Sequence, residues 1–185
     1  MKISSGIYKG KQLFVPKTGV KPTADRVRQA VMNILQGEIK GASFLDLYCG
    51  TGAVGIEALS QGARFSCFVE SSEKMYRILK KNLEQIVPEK KFYKTVRHNA
   101  INLTPDLIGT ENIPFDIIFA DPFYRDTGYS MDDLYKNVMS LLKEEGIFIL
   151  EHGSKENFSE YPFFINNKTY GDTELSLFRK TQEKL

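Results

Sequence analysis

Cysteine and histidine are both scarce in this chain of 185 residues, which contains two of each. Cys49 and Cys67 are too few to build a disulfide framework. Neither His98 nor His152 has a cysteine or another histidine at the spacing of a metal site. The sequence therefore predicts a protein with no disulfide framework and no bound metal.

Long apolar runs are also absent. No stretch approaches the ~20 apolar residues that span a bilayer, and the N-terminus lacks the apolar core of a signal peptide. These absences favour a cytoplasmic protein with no membrane partner. The length suits one domain over residues 1–185, and the composition, 42% hydrophobic and 26% charged, is ordinary for a globular protein.

Charge is distributed unevenly along the chain. Residues 1–28 contain seven basic side chains against one acid, Asp25, a balance of +6. The whole chain carries a formal charge of +2, so the remaining 157 residues carry −4. We interpret residues 1–22 as a basic N-terminal arm on a catalytic core of residues 23–185. Such an arm indicates a polyanionic partner, although a merely solvated arm is the alternative.

The stretch from residue 44 to residue 70 has the order of a βαβ unit. An apolar strand ends at Asp46, a glycine-rich turn and a helical pattern follow, and a second apolar strand ends at Glu70. Ligands in open α/β sheets bind outside the carboxyl ends of the strands. We therefore expect both acids to line a ligand site.

The turn itself reads Gly50-x-Gly52-x-x-Gly55, in which glycines allow positive φ and close approach of a ligand. The same pattern marks dinucleotide sites. Glu70 suits the ribose hydroxyls of a dinucleotide and equally those of S-adenosylmethionine. Asp46 would repel a pyrophosphate but favours the ammonium and sulfonium charges of S-adenosylmethionine, which is the predicted cofactor. A dinucleotide, or a packing turn with no ligand, are the alternatives.

A second candidate site is Asp121-Pro122-Phe123-Tyr124, which follows a predicted buried strand over residues 115–120. The Asp121 carboxylate and the Pro122 carbonyl can accept both hydrogens of a planar exocyclic amine and so aim its lone pair. Phe123 and Tyr124 can stack on a base. The composition predicts amine methylation, with catalytic roles for Asp121, Pro122 and Tyr124. A turn with exposed aromatic side chains is the alternative.

Hydrophobic periodicity predicts the remaining elements. They are a hairpin or extended arm over residues 2–15, a helix from Thr23 to Gly37, a helix over 72–86, a strand over 90–96, a helix over 131–142, a strand over 146–151, and an antiparallel strand pair over 162–170 and 174–180. Asn99 follows the strand at 90–96, where it either contacts an adenine amine or is a simple turn asparagine.

Three segments resemble one known family: KPTADRVRQAVMNIL at 21–35, DLYCGTGAVGIEALS at 46–60 and YGDT at 170–173. Over nearly its whole length the chain resembles the bacterial 16S rRNA guanine-N2 methyltransferases, the ribosomal small-subunit methyltransferase D family. The resemblance implies a Rossmann-like, seven-stranded class I methyltransferase sheet, mostly parallel with an antiparallel C-terminal pair. It also implies S-adenosylmethionine as methyl donor and a guanine of 16S rRNA, or of a small ribosomal subunit particle, as acceptor.

The predicted sites follow from these segments. The cofactor set comprises Asp46, Tyr48, Gly50, Gly52, Glu70, Ser71, Asn99, Ala100 and Asp121, and the substrate set comprises Phe123, Tyr124, Lys21, Thr23, Arg26 and Arg28. The family usually has a second proline where this chain has Phe123, and an acid where it has Asn99. We expect a looser loop and weaker cofactor affinity from these departures.

Two competing functions remain open. One is methylation of another RNA, of a DNA base or of a protein glutamine, although enzymes that act on DNA bases or on glutamine usually carry asparagine at the position of Asp121. The other is a non-catalytic RNA-binding or ribosome-assembly protein that retains the fold. We expect a monomer in either case.

Overall fold

A computed structural model of the chain describes residues 1–16, 25–109, 114–122 and 131–181. Within them, the strands are β1 (Ser43–Leu47), β2 (Phe65–Val69), β3 (Tyr93–Val96), β4 (Phe115–Ala120), β5 (Leu142–Gly153), β6 (Phe164–Tyr170) and β7 (Thr173–Arg179). The α-helices are α1 (Asp25–Ile34), α2 (Ala53–Ser60), α3 (Glu73–Ile86), α4 (Pro105–Ile108) and α5 (Met131–Leu141).

The seven strands form one sheet in the order β3-β2-β1-β4-β5-β7-β6. Strands β1 to β5 are parallel, whereas β7 pairs antiparallel with both β5 and β6. This arrangement confirms the predicted Rossmann-like sheet with an antiparallel C-terminal pair. It also confirms that β1 and β4 are neighbours, which the second candidate site requires.

Both faces of the sheet are covered, and so its central strands are apolar almost throughout. Phe44 of β1 packs in a cluster with side chains of α1, α2 and α3, whereas Leu45 packs in a second cluster with side chains of α4 and α5. Because side chains alternate along a strand, Asp46 is on the same face as Phe44. The acid at the end of β1 is thus on the α2 side of the sheet.

Two strands begin elsewhere than predicted. Lys90–Phe92 form a 3₁₀ turn, so that the third strand starts only at Tyr93. The Phe92 N–H donates to the Glu89 carbonyl at 3.1 Å, a local bond that replaces pairing at this edge of the sheet. The fifth strand begins at Leu142 rather than at residue 146, directly after α5.

The N-terminal residues form a hairpin that packs on α2. Lys2 and Gln12 pair antiparallel, and Ile3 and Leu13 are buried in the core cluster. At the hairpin turn, the Ile7 N–H donates to the Ser60 carbonyl at 2.8 Å. The segment predicted as a hairpin or extended arm is therefore a docked hairpin over its described part.

Arg28 corrects one prediction of a substrate contact. Its side chain is 1% exposed, with Nε 3.2 Å from a Glu57 carboxylate oxygen and Nη1 3.0 Å from Asp25. Its Nη2 donates to the Lys2 carbonyl at 2.8 Å. The guanidinium thus joins α1, α2 and the hairpin inside the protein. The prediction that Arg28 contacts the substrate is wrong, because no part of its charge reaches the surface.

Within the described part of the chain, no helix is both long and apolar enough to cross a membrane.

Candidate cofactor and active site

Three acids lie at one edge of the sheet. Asp46 is in β1, and Glu70 and Asp121 directly follow β2 and β4. Leu47 pairs with both Val69 and Ala120, so the carboxyl ends of these three strands are level. The sequence-based prediction that the two candidate sites face one another is consistent with this register.

The charge of Asp46 is strongly disfavoured. Its side chain is 1% exposed, and its pKa is raised to about 8, first by burial and then by the negative charges of Asp121 and Glu70. A hydrogen bond from the Gly55 N–H, at 2.8 Å, acts in the opposite direction. At neutral pH the carboxyl is therefore mostly protonated, and a nearby cation would favour its ionised form.

The glycine turn runs through the left-handed region, with φ of 54° at Gly50 and 79° at Gly52. The two glycines have different surroundings. A Cβ on Gly52 would lie 2.4 Å from Cδ1 of Leu79, so this position must be glycine for packing. A Cβ on Gly50 would have only Met75 Cε nearby, at 3.7 Å. Space for a ligand is therefore left at Gly50 rather than at Gly52.

Glu70 ties the turn to the start of α3. One of its carboxylate oxygens accepts from the Gly50 N–H at 2.9 Å and the other from the Ser72 N–H at 2.7 Å. Each oxygen keeps a further lone pair that a ribose hydroxyl can use. The side chain is 8% exposed, so such a hydroxyl would approach a carboxylate that is already held in place.

Tyr48, between Asp46 and the glycines, has an unusual backbone φ of 58°. Its hydroxyl is buried and has no hydrogen-bond partner among the described residues. Burial raises the pKa of this phenol to about 12, so it is a neutral donor at any physiological pH. A buried hydroxyl without a partner is costly, and a polar ligand atom would satisfy it.

The third strand leads to the residues predicted at the adenine. The Asn99 side-chain oxygen accepts from the Ile101 N–H at 3.1 Å and caps the 3₁₀ turn Ala100–Asn102. Asn99 thus has the turn role that the sequence left open, and a contact with adenine stays a prediction. Ala100 is buried and Ser71 is exposed beside Glu70.

The substrate set divides in two. Phe123, Tyr124, Lys21 and Thr23 lie outside the described residues. Arg26 is exposed at the start of α1, with its guanidinium 6.0 Å from the Tyr170 ring centroid. Pro122 is buried at the end of β4 and Asp121 is partly exposed.

Sequence reasoning missed two polar residues near this edge. Glu151 is buried in β5, one position beyond the pair of Ala120 and Leu150, which places it beside Asp121. The signal in the sequence was the predicted strand over residues 146–151, which also ends on an acid. Asn82 is fully buried among the apolar side chains of α3, where an amide at helical spacing from Leu79 and Ile86 was the signal.

Comparison with known proteins gives the family. The family model described as "Conserved hypothetical protein 95" matches residues 1–179. The ribosomal RNA small subunit methyltransferase D of Buchnera aphidicola (subsp. Acyrthosiphon pisum) is 33% identical over 146 residues, which cover 77% of this chain and 70% of that protein. The chain belongs to the ribosomal RNA small subunit methyltransferase D family.

Solved structures agree with this assignment of the fold. A hypothetical protein of Thermus thermophilus is 25% identical, with a TM-score of 0.79 over 96% of this chain and 98% of its own. The protein SMU.776, solved in complex with S-adenosylhomocysteine, is 17% identical, with a TM-score of 0.68 over 92% of this chain and 52% of its own. At that identity the second likeness shows the fold alone.

The residues of this chain fit S-adenosylmethionine, the cofactor predicted from the sequence. Gly50 leaves space beside the turn, and Tyr48 offers a hydroxyl without a partner among the described residues. A cation near Asp46 would favour the ionised form of its carboxyl. Among the described residues, no group of three or more histidine, cysteine or acidic side chains has the geometry to hold a metal ion.

Proposed function

We propose that this chain transfers the methyl group of S-adenosylmethionine to the N2 amine of a guanine in 16S rRNA. The observation that supports it most directly is the position of Asp121 and Pro122. They follow β4 at the edge where its neighbour β1 leads into the glycine turn. This position supports an acid and a backbone carbonyl beside the predicted methyl donor.

The reaction does not require a strong acid or a strong base from the protein. A planar base amine has its lone pair delocalised into the ring, and it becomes nucleophilic when both hydrogens are held so that the lone pair points at the methyl group. Asp121 and the Pro122 carbonyl supply two acceptors for these hydrogens. When bound, the cofactor supplies an electrophilic methyl whose C–S bond breaks with its electron pair on sulfur, as the new N–C bond forms. The amine proton then passes to Asp121 or to water.

Positioning supplies most of the rate in this proposal, because a sulfonium is already a good electrophile. The guanine must leave its stack, since a paired and stacked amine cannot enter a crevice at a sheet edge. We assign the replacement stacking to Tyr124 together with Phe123, residues that lie outside the described part of the chain. Stacking of this kind is worth about 1–3 kcal/mol per base.

The rRNA substrate is supported by the relatives and by charge. The Buchnera relative is named as an enzyme of the small-subunit ribosomal RNA. In this chain, Lys2, Lys9 and Lys11 of the hairpin and Arg26 of α1 are exposed, and all belong to the basic N-terminal part. We propose that these side chains contact phosphates, in the role that Arg28 cannot fill.

The decisive experiment compares single-turnover methylation of small-subunit particles by the wild type and Asp121→Ala, with the product nucleoside identified. We expect Asp121→Ala to lose nearly all transfer while S-adenosylhomocysteine still binds, because the lost contacts act in the transition state. Asp106→Ala, which removes an exposed acid of α4, is the matched control and should keep full activity.

Four outcomes would overturn the proposal. Full activity of Asp121→Ala would remove the acid from the mechanism. Methyl found on adenine or on a guanine ring nitrogen would show that a different acceptor atom faces the methyl donor. Binding of rRNA without any methyl transfer would instead support the non-catalytic assembly protein, and labelled protein would support glutamine methylation.

A further inference from the structure

Asn82 connects the glycine turn to the N-terminal hairpin. Its side-chain amide N–H groups donate to the Thr51 carbonyl at 2.9 Å and to the Phe14 carbonyl at 3.1 Å. Its amide oxygen accepts from the Phe14 N–H at 2.8 Å. One fully buried amide of α3 therefore holds both backbone groups of Phe14 and one carbonyl of the turn.

The turn end of this link is at the cofactor site. Thr51 lies between Gly50 and Gly52, and the Gly50 N–H is bound by Glu70. A ligand that fixes the backbone around Gly50 will also fix the orientation of the Thr51 carbonyl. Since Asn82 has a single amide group, a change in the bond to Thr51 alters the bonds to Phe14 as well.

The hairpin end of the link is in the half of the hairpin that is hydrogen-bonded to α3 rather than to α2. The other half is held by the Ser4 and Ser5 N–H groups, which donate to Glu57, and by Tyr8, whose N–H donates to the Ser60 hydroxyl at 2.9 Å. Phe14 is held through its backbone N–H and carbonyl, both bonded to Asn82, and is 40% exposed. The Lys81 ammonium of α3 lies 3.9 Å from the centroid of its ring.

We propose that Asn82 is a positioning residue that couples cofactor binding at the glycine turn to the placement of the N-terminal hairpin, which carries the exposed Lys2, Lys9 and Lys11, and hence to RNA binding. The RNA half of this statement rests on the proposed function. The coupling is reciprocal by linkage: a bound cofactor raises RNA affinity, and bound RNA raises cofactor affinity by the same factor. Enzyme that carries the cofactor therefore binds the RNA more tightly than enzyme without it.

The first test uses the wild-type protein alone. Amide hydrogen exchange is measured with and without S-adenosylhomocysteine, and the Phe14 amide is compared with the Tyr8 amide in the other half of the hairpin. We expect the ligand to slow exchange at Phe14 about fivefold more than at Tyr8. Equal slowing of both amides would reflect general stabilisation and would overturn the proposal.

The second test measures the coupling itself. The Kd of S-adenosylhomocysteine is determined by calorimetry with and without a 16S rRNA transcript, for the wild type, Asn82→Leu and Gln85→Leu. Asn82→Leu removes all three hydrogen bonds at similar volume, and Gln85→Leu makes the same exchange on the exposed face of α3. We expect the transcript to lower the Kd about fivefold or more in the wild type and the control, and less than twofold in Asn82→Leu.

A merely structural role for Asn82 predicts a different result. It would lower stability or both affinities while leaving the ratio of the two Kd values unchanged, and that result would refute the proposal. A wild-type ratio near one would refute it too. If S-adenosylhomocysteine does not bind at all, the proposed function fails, which separates the two failures. If Asn82→Leu does not fold, the exchange experiment on the wild type still decides.

Discussion

Replacing Asp46 with asparagine would test whether a buried acid is kept for its charge rather than for its shape. The carboxyl accepts one hydrogen bond, from the Gly55 N–H at 2.8 Å, and an asparagine oxygen can accept the same bond. The side chain is almost fully buried, so the similar size of the two residues also preserves packing. What Asp46→Asn removes is the ability to become negative.

The pKa of Asp46, about 8, sets the expected size of the effect. At pH 7 the carboxyl is mostly neutral, and ionising it costs roughly 1 kcal/mol. A cofactor whose cationic groups require the ionised form must supply that free energy. Between pH 6 and pH 7, where the amino group of the cofactor remains charged, affinity should therefore rise about tenfold.

The assay is titration calorimetry with S-adenosylhomocysteine at pH 6.0, 6.5 and 7.0, in buffers that differ in ionisation enthalpy. Wild-type binding should release close to one proton at pH 6.5, and Asp46→Asn should release none. 5′-Methylthioadenosine, which lacks the amino-acid group, is the ligand control and should bind with little dependence on pH. A flat wild-type profile, or the same slope in Asp46→Asn, would refute the reasoning.

The same pKa makes a prediction about stability. Because the carboxyl has a higher pKa when folded than its ordinary 3.8, the native state binds more protons between about pH 4 and pH 8, so stability falls as pH rises through that window. Asp46→Asn should lack this fall and should have a higher Tm than the wild type at pH 7.5. Thermal unfolding of both proteins at pH 4.5 and 7.5 measures the difference. Neutralising Lys9 and Lys11 together should remove up to about two phosphate contacts and so lower the slope of log affinity for rRNA against log salt concentration. An unchanged slope would indicate that the charge of the hairpin is only solvated. Arg28→Met should lower the free energy of unfolding by about 3–5 kcal/mol in urea, because it leaves Glu57 buried without its cation, whereas Arg26→Met at the surface should change it little.

Much of the fold was predictable because its central strands are short apolar runs that end on acids. Residues 115–120 are apolar except for Asp116, and that pattern matches β4 at both ends. The adjacency of β1 and β4 followed from the topology of doubly wound sheets rather than from any residue. The antiparallel pair was predictable because two strand patterns occur with no helix between them.

The burial of Arg28 was not predictable from helical periodicity. A charged side chain is normally placed on the solvent face, and only partners from elsewhere in the chain reverse that expectation. Here the partners are Glu57, which lies 29 residues further on, and the carbonyl of Lys2 in the hairpin. Nothing local to α1 shows that the hairpin covers this face of the helix.

The two glycines of the turn show a finer limit of sequence reasoning. Both were expected to admit a ligand, and both have positive φ. A Cβ on Gly52 would clash with Leu79 of α3, whereas a Cβ on Gly50 would only contact Met75 Cε, at 3.7 Å. A motif gives the backbone conformation that two positions share, but the neighbour that each one meets depends on how a distant helix packs.

The distribution of charge now has a physical explanation within the proposed function. The acids Glu70, Asp121 and Glu151 lie at the carboxyl edge of the sheet, beside the mostly protonated Asp46, so the crevice there disfavours phosphates. A polyanion can approach such a crevice only if basic side chains elsewhere hold its backbone, and residues 1–28 carry +6 while the rest of the chain carries −4. An uncharged base can then enter while its phosphates stay outside. A crevice of this charge selects for a flipped nucleotide before any hydrogen bond to the base is made.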